Sequence, residues 1–294
     1  MKGYAPTTHV VIPDCQVKPG VPIDHLRWAG QYIVDEFAHK PNVKIICLGD
    51  FADMESLSLY DKGKKEMEGR RYAADIKASN YAWSVLNQPL VEYNQVRKRY
   101  KEKRWNPERH LTLGNHEDRI DRAVSLDAKL EGTISLDDLD YERSGWQVHP
   151  YRHILWLDGV AYAHLFYNQM NGRPYGGNNM ETRLKTIGHS FTMGHQQVLL
   201  HGLRYVAGRQ QNGLVAGAFY MHDEDHLGPQ QAYWRGIIVK HQVEDGSYYI
   251  MCVSMDYLCR RYTGKRLRDY TPKSYAPQFK DSDVPHSDLP SMRR

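Results

Sequence analysis

Short β-branched runs alternate with amphipathic stretches through the first half of the chain. The run His9-Val10-Val11-Ile12, ended by Pro13, predicts a strand, and Asp24 is a candidate N-cap for the helix that follows. In that helix Leu26, Ile33, Val34 and Phe37 recur at the three-and-four spacing of a buried face, until Pro41-Asn42 stops it. Val43 to Leu48 is nearly continuous in apolar residues, as parallel strands buried on both faces are. Strand, helix and strand make a βαβ unit. A polar loop, Ala52 to Gly69, leads to a helical pattern from Arg70 to Lys103 with Tyr72, Ile76, Trp83, Leu86, Leu90 and Tyr93 along one side, and Pro89 predicts a kink. His110 to Leu113 reads as a third strand, followed by helical spacing of Ile120, Val124 and Leu130.

The second half changes character. Ile154 to Leu157 and Val160 to Ala163 flank Asp158-Gly159, and Ile237 to Val243 with Tyr248 to Val253 flank Asp245-Gly246. Asp-Gly between alternating apolar runs is a strong hairpin signal, so this half is expected to be antiparallel. Phe191 to Met193 is another strand. From Gly264 the chain turns to Pro, Ser, Asp, Lys and Arg without periodicity. The expected organisation is one domain over residues 1–263 and an extended or disordered tail over 264–294.

Composition narrows the function classes. With 294 residues and 41% apolar side chains the chain can bury a large core, and a net charge of +4 does not by itself argue for nucleic acid. Cys15, Cys47, Cys252 and Cys259 form no C-x-x-C pair, which predicts reduced thiols and a cytoplasmic protein rather than a zinc finger. No apolar leader precedes the first strand and no run approaches a membrane span, so neither secretion nor a membrane partner is expected.

Five short blocks carry candidate chemistry, each at the end of a predicted strand or hairpin. They are Asp14-x-Gln16, Gly49-Asp50-x-x-Asp53, Gly114-Asn115-His116-Glu117, His164, and Gly194-His195-x-Gln197. Open α/β sheets place ligands at the carboxyl ends of their strands, where a glycine allows the sharp exit. Taken singly, Asp50 or Asn115 also fits a helix N-cap and His164 an ordinary strand-edge residue. Their recurrence at successive strand ends is harder to attribute to capping.

These blocks resemble those of the calcineurin-like metallophosphoesterase superfamily, specifically its bacteriophage-encoded members, over roughly residues 8–255. The resemblance implies a two-sheet α/β sandwich of mixed parallel and antiparallel strands carrying two divalent ions. By position, Asp14, Gln16, Asp50 and Gln197 would surround one ion and Asp50, Asn115, His164 and His195 the other, with Asp50 bridging. Such a pair of ions, about 3.5–4 Å apart, activates water and neutralises phosphoryl charge. The resemblance also implies His116 as the acid for the leaving oxygen, oriented by Asp53, with Arg119 a candidate phosphate clamp. It would put a phage-encoded protein in the host cytoplasm.

Gln16 and Gln197 stand where the family usually has His, and both belong to the first ion. An amide oxygen is a harder and weaker donor than imidazole, so this site is expected to bind loosely and to favour Mn, with Mg, Fe or Zn as the other candidates. His201, His222 and Asp223 are candidates to complete it. The expected function is hydrolysis of a phosphodiester in nucleic acid or a nucleotide. A phosphomonoesterase, acting on a nucleotide or phosphoprotein, is the alternative enzyme, and an inactive metal-binding interaction module is the alternative class.

Basic residues give the substrate signals. Lys64, Arg70 and Arg71 lie in or just after the loop following Asp53 and are candidates for a phosphate diester. Arg97 to Arg109, interleaved with Tyr100 and Trp105, reads either as a nucleic-acid track or as cations solvating a helix C-terminus. The tail is a candidate surface for a protein partner. Asn168 to Asn179 is expected to be a loop at the rim of the site.

Overall fold

The structure, a computed structural model, describes residues 6–223 and 233–278. Two mixed sheets face one another, as the resemblance implies. The first has six strands in the order β11 (Ser247–Ser254), β10 (Gly236–Glu244), β1 (Thr7–Ile12), β2 (Val43–Cys47), β3 (Glu108–Thr112) and β4 (Gln147–His149). The second has five, ordered β5 (Leu155–Leu157), β6 (Val160–Tyr162), β7 (Phe191–Met193), β9 (Arg209–Ala216) and β8 (Leu199–Val206). β1 to β4 run parallel, while β10 lies antiparallel to β1.

Between the sheets lies a dry cluster that includes Val11, Ile46, Leu48, Leu157, Tyr162, Leu214 and Ile238. Helices α1 (Asp24–Phe37), α2 (Tyr72–Arg99) and α5 (Met255–Thr263) cover the outer face of the first sheet through Leu26, Phe37, Trp83, Leu86 and Leu258. Helix α4 (Met180–Ile187) covers the second sheet through Met180 and Leu184, which pack on Phe191 and Val215. The remaining helix is α3 (Arg119–Leu126). A helix–sheet–sheet–helix sandwich results, with each apolar face buried against the next layer.

Both Asp-Gly hairpins form. Asp158 and Gly159 have φ of 49° and 81°, Asp245 and Gly246 48° and 83°, the left-handed pair that a tight two-residue turn needs. The two turns also meet, because the Gly246 amide donates to the Asp158 carbonyl at 2.9 Å. One closing contact between the sheets is therefore made by the turns themselves.

Several expectations are corrected. Asp24 is the first residue of α1, and Ile23 precedes it as the cap position. The Asp24 carboxylate instead accepts from the Lys273 and Ser274 amides and the Ser274 hydroxyl, at 2.7, 3.1 and 2.7 Å. With the Ala276 amide on the Val21 carbonyl, these bonds tie residues 273–276 to the domain. The segment from Gly264 thus starts as docked chain, and residues 279–294 lie outside the described residues. The helix expected from Arg70 to Lys103 ends at Arg99, and the helical spacing of Ile120, Val124 and Leu130 is realised as a helix only as far as Leu126, before a short 3-10 turn over Ala128–Leu130. The β8–β9 hairpin, β4, α4 and α5 were not anticipated. All four cysteines are unpaired, Cys252 exposed and the others buried. Among the described residues no helix is long and apolar enough to cross a membrane.

Candidate metal centre

All five blocks reach the place where the carboxyl ends of β1, β2 and β3 face the ends of β6 and β7. Two loops carry the key carboxylate and amide, and Glu117 joins them. Its buried carboxylate accepts from the amides of Asp50 (2.9 Å), Phe51 (2.7 Å), Ala52 (3.0 Å) and Gly114 (2.9 Å). Burial and the neighbouring Asp50 charge raise the Glu117 pKa, and the amide donors oppose them. The sequence pattern assigns Glu117 no role within its block; in the structure it holds the loop after β2 against the loop after β3. A Cβ on Gly114 would collide with the Asp50 carboxylate, so the close approach requires glycine there.

At that junction the expected second-ion ligands converge. Asn115 Oδ1 lies 2.9 Å from His164 Nε2 and 2.9 Å from His195 Nδ1, the two ring nitrogens are 3.3 Å apart, and Asp50 Oδ2 is 3.3 Å from His164 Nε2. An ion about 2.1 Å from each ligand atom sets neighbouring ligands about 3.0 Å apart in octahedral and about 3.4 Å apart in tetrahedral order. The observed spacings, 2.9 to 3.3 Å, lie close to those values. Asp50, His164 and His195 offer ligand atoms that all lie within 4.8 Å of one another, a group able to hold a metal ion. His164 Nδ1 faces the Leu48 carbonyl at 2.8 Å, which fixes it as the donor and turns the Nε2 lone pair into the cluster.

The charges favour a cation. Asp14, Asp50 and Asp53 are all buried here. Burial opposes ionisation of Asp50, yet the His116 and His164 rings beside it hold its pKa well below the usual carboxylate range. Burial would lower His164, but the Asp50 charge pushes it up to about 10. Asp14 is pushed up to about 7 by burial and by Asp50. His195 is lowered to about 4 by burial and by the His164 charge, so it stays neutral with a lone pair to donate. Without a cation these acids depend on a proton at His164.

The backbone is strained at the same place. Gln16, Asp50, Met54, His195 and Gln197 have φ of 43°, 45°, 51°, 66° and 61°, where side chains are disfavoured by about 1 kcal/mol or more each. The surroundings enforce these angles. The Gln16 amide donates to the Asp50 carbonyl at 2.8 Å, and the His195 amide donates to the Asp14 carboxylate at 3.0 Å.

The first-ion set is less complete. Asp14 lies within reach, its Oδ1 4.0 Å from His164 Nδ1. Gln16 is buried, but among the described residues no hydrogen bond joins its side-chain amide to the cluster. The Gln197 carbonyl oxygen accepts a hydrogen bond from the Tyr220 hydroxyl at 2.7 Å. Neither His201 nor Asp223 completes the shell. His201 is exposed on β8 with its ring 6.4 Å from that of Tyr248, and Asp223 pairs with Arg235 at 2.7 Å. His222 stacks on Tyr220.

His116 sits beside the cluster with Nδ1 2.8 Å from Asp53 Oδ1 and Nε2 3.7 Å from Asp50 Oδ2. Burial alone would lower its pKa; the Asp50 and Asp53 carboxylates outweigh that and raise it. Arg119 is a strut. One terminal nitrogen donates to the Asp53 carbonyl at 2.8 Å and approaches its carboxylate at 3.3 Å, and the other lies 3.1 Å from His116 Nε2. Arg70 is paired with Asp61 at 2.9 Å and Glu55 at 3.4 Å. Lys64 lies over the Tyr60 ring, and Arg71 donates to the Arg70 carbonyl. No hydrogen bond or ion pair among the described residues joins these three to the cluster.

Three cations and rings near the centre escaped sequence reasoning. Lys18 Nζ is 3.5 Å from Asp53 Oδ2. Tyr151 shares a 2.5 Å hydrogen bond with Tyr167, and its ring is 6.5 Å from that of His164. The exposed Arg152 lies over both tyrosine rings, at 5.5 and 4.8 Å. Position 152 follows a strand end, the signal used for the other blocks, but β4 itself was not anticipated.

No protein-family model matches the chain, and no curated protein matches it. Among solved structures it is similar to wild-type Vps29 from Entamoeba histolytica complexed with Zn+2, at 10% identity and a TM-score of 0.36, over 85% of this chain and 99% of that one. It is also similar to Vps29 from Chaetomium thermophilum, at 7% identity and a TM-score of 0.37, over 84% and 97% of the two chains. Likeness at this level leaves the chain's own geometry, a two-sheet sandwich with a cluster of metal-competent side chains at its strand ends, to carry the functional reading.

Proposed function

We propose that the protein is a metal-dependent phosphoesterase that hydrolyses phosphodiesters of nucleic acid or nucleotides. The carrying observation is the convergence of Asp50, Asn115, His164 and His195 at ligand spacing, with His116 held beside them by Asp53. Those residues would hold one divalent ion, and Asp14, Gln16 and Gln197 with the shared Asp50 a weaker second. When bound, the ions supply an activated water and neutralise phosphoryl charge.

The chain's own groups do the rest. His116, whose pKa the Asp50 and Asp53 carboxylates raise, turns Nε2 toward the cluster beside an Arg119 nitrogen at 3.1 Å and is the candidate proton carrier for the leaving oxygen. Asp53 keeps the ring turned toward the cluster, and Arg119 keeps Asp53 in place. Arg152 is the exposed cation that can meet a substrate phosphate at the tyrosine rim.

A panel of metals against a simple diester, a simple monoester, cyclic nucleotides and single-stranded DNA tests this. Diester turnover that requires added Mn and disappears in His116→Ala is expected. Turnover of the monoester alone would replace this reading with a phosphatase. Absence of any turnover, with one ion bound per chain, would favour an interaction module, a reading that the Tyr220 bond to Gln197 supports.

A further inference from the structure

At the opposite end of the first sheet from the metal centre, a cavity of about 1030 Å³ opens below the amino-terminal ends of β1, β2 and β3. Lys44 lines it and Asp50 lies six residues further along, so at about 3.3 Å per residue the two places are about 20 Å apart. Five cations line the cavity against two carboxylates, Glu108 and Asp158. Lys44 is paired with Asp158 at 3.0 Å and Arg97 with Glu102 at 3.1 Å. Among the described residues Lys40, Lys103 and Arg104 have no carboxylate partner.

Cations at a helix C-terminus are often only solvated. Lys103 and Arg104, however, lie beyond the last turn of α2, in a connection that is held rigidly. Asn94 clamps Trp105 from both sides, its amide nitrogen donating to the Trp105 carbonyl at 2.7 Å and its oxygen accepting the Trp105 amide at 2.9 Å. Arg97 Nε donates to the Lys103 carbonyl. Those bonds fix the backbone that carries the two free cations and the half-buried Trp105 along the cavity, with Tyr93 on its wall.

We infer that this cavity is an exosite for single-stranded nucleic acid. Its volume is at the upper limit of the about 300–1,000 Å³ that encloses one drug-sized ligand, more than a lone phosphate needs. A duplex keeps its bases stacked inside and cannot offer their faces to Trp105 and Tyr93, whereas a single strand can, while its phosphates meet the cations. The inference deepens the phosphodiesterase reading by naming a polynucleotide as substrate, and for that purpose it rests on that reading.

The test is fluorescence anisotropy of a labelled oligothymidylate with the full chain in EDTA, over a range of salt, alongside hydrolysis of a simple diester with Mn. Three phosphate contacts predict a log–log salt slope of about −2, at about 0.7 per contact for single strands. Lys103→Glu/Arg104→Glu should flatten the slope by about 1.4 and weaken binding by about tenfold or more, with diester hydrolysis unchanged. Trp105→Ala should weaken binding by about fivefold or more with the slope kept, and Trp105→Phe should restore most of it if the fold is intact by melting. Unchanged affinity in the double charge reversal, equal affinity for a hairpin duplex, or complete displacement by equimolar pyrophosphate would each overturn the exosite. Diester hydrolysis without oligonucleotide binding removes the exosite alone, and binding without hydrolysis removes the catalytic reading alone.

Discussion

Replacing Glu117 by Gln should damage both stability and metal affinity, although Glu117 is not among the candidate ligands. Oε1 accepts from the Phe51 and Ala52 amides and Oε2 from those of Asp50 and Gly114. A glutamine must put its NH2 where one of these oxygens stands, leaving two buried backbone donors facing a donor. At about 1–3 kcal/mol for each unsatisfied group, the loss is about 2–6 kcal/mol, against a total stability of about 5–15 kcal/mol. For a domain of this size that is about 4–12 °C in Tm. Because the carboxylate holds both the Asp50 and the Asn115 loops, metal affinity should also fall by about 10–100-fold. Denaturant melts and metal titration calorimetry measure the two effects, with the exposed Glu108→Gln as the control. A Glu117→Gln protein within about 0.5 kcal/mol of the parent would refute the assignment of Glu117 as the joint between the loops.

Three further outcomes are expected. Asp50→Asn should abolish diester hydrolysis and weaken metal binding, while Gln16→Ala costs less because its side-chain amide is not joined to the cluster; equal losses in kcat/KM would contradict the unequal sites. Tyr220→Phe frees the Gln197 oxygen, so a second Mn should bind more tightly in calorimetry, and no change would remove Gln197 from the ligand set. Acid should destabilise the fold below about pH 6.5, because burial lowers His25 to about 3 and His9 to about 4 while the unfolded chain takes up protons at the ordinary histidine pKa. His25→Phe, which keeps the aromatic packing on Phe219, should flatten that limb of the stability–pH curve measured by denaturant melts; an unchanged slope would contradict the assignment.

Local physics made much of this protein legible. The apolar runs at Val10–Ile12 and Val43–Cys47 could only be buried strands, and Asp158-Gly159 and Asp245-Gly246 could only be tight turns, because neighbouring residues set backbone angles and periodicity. The β8–β9 hairpin escaped because its turn uses Ala207 at φ 49° in place of a turn-forming residue, and its outer strand is mixed in polarity. Asp24 misled for the opposite reason: its local pattern is that of a cap, but a segment 250 residues away takes its carboxylate.

The candidate ligands were likewise readable as types at strand ends. Their grouping was not, since Asp50, Asn115, His164 and His195 meet only because two sheets pack face to face. Tertiary structure alone decided that Glu117 joins two loops, that Arg119 supports Asp53, that Gln197 meets Tyr220, and that Arg97, Lys103 and Arg104 line a cavity. Sequence fixes which atoms can donate or accept; only packing across distant segments decides which partner each one meets.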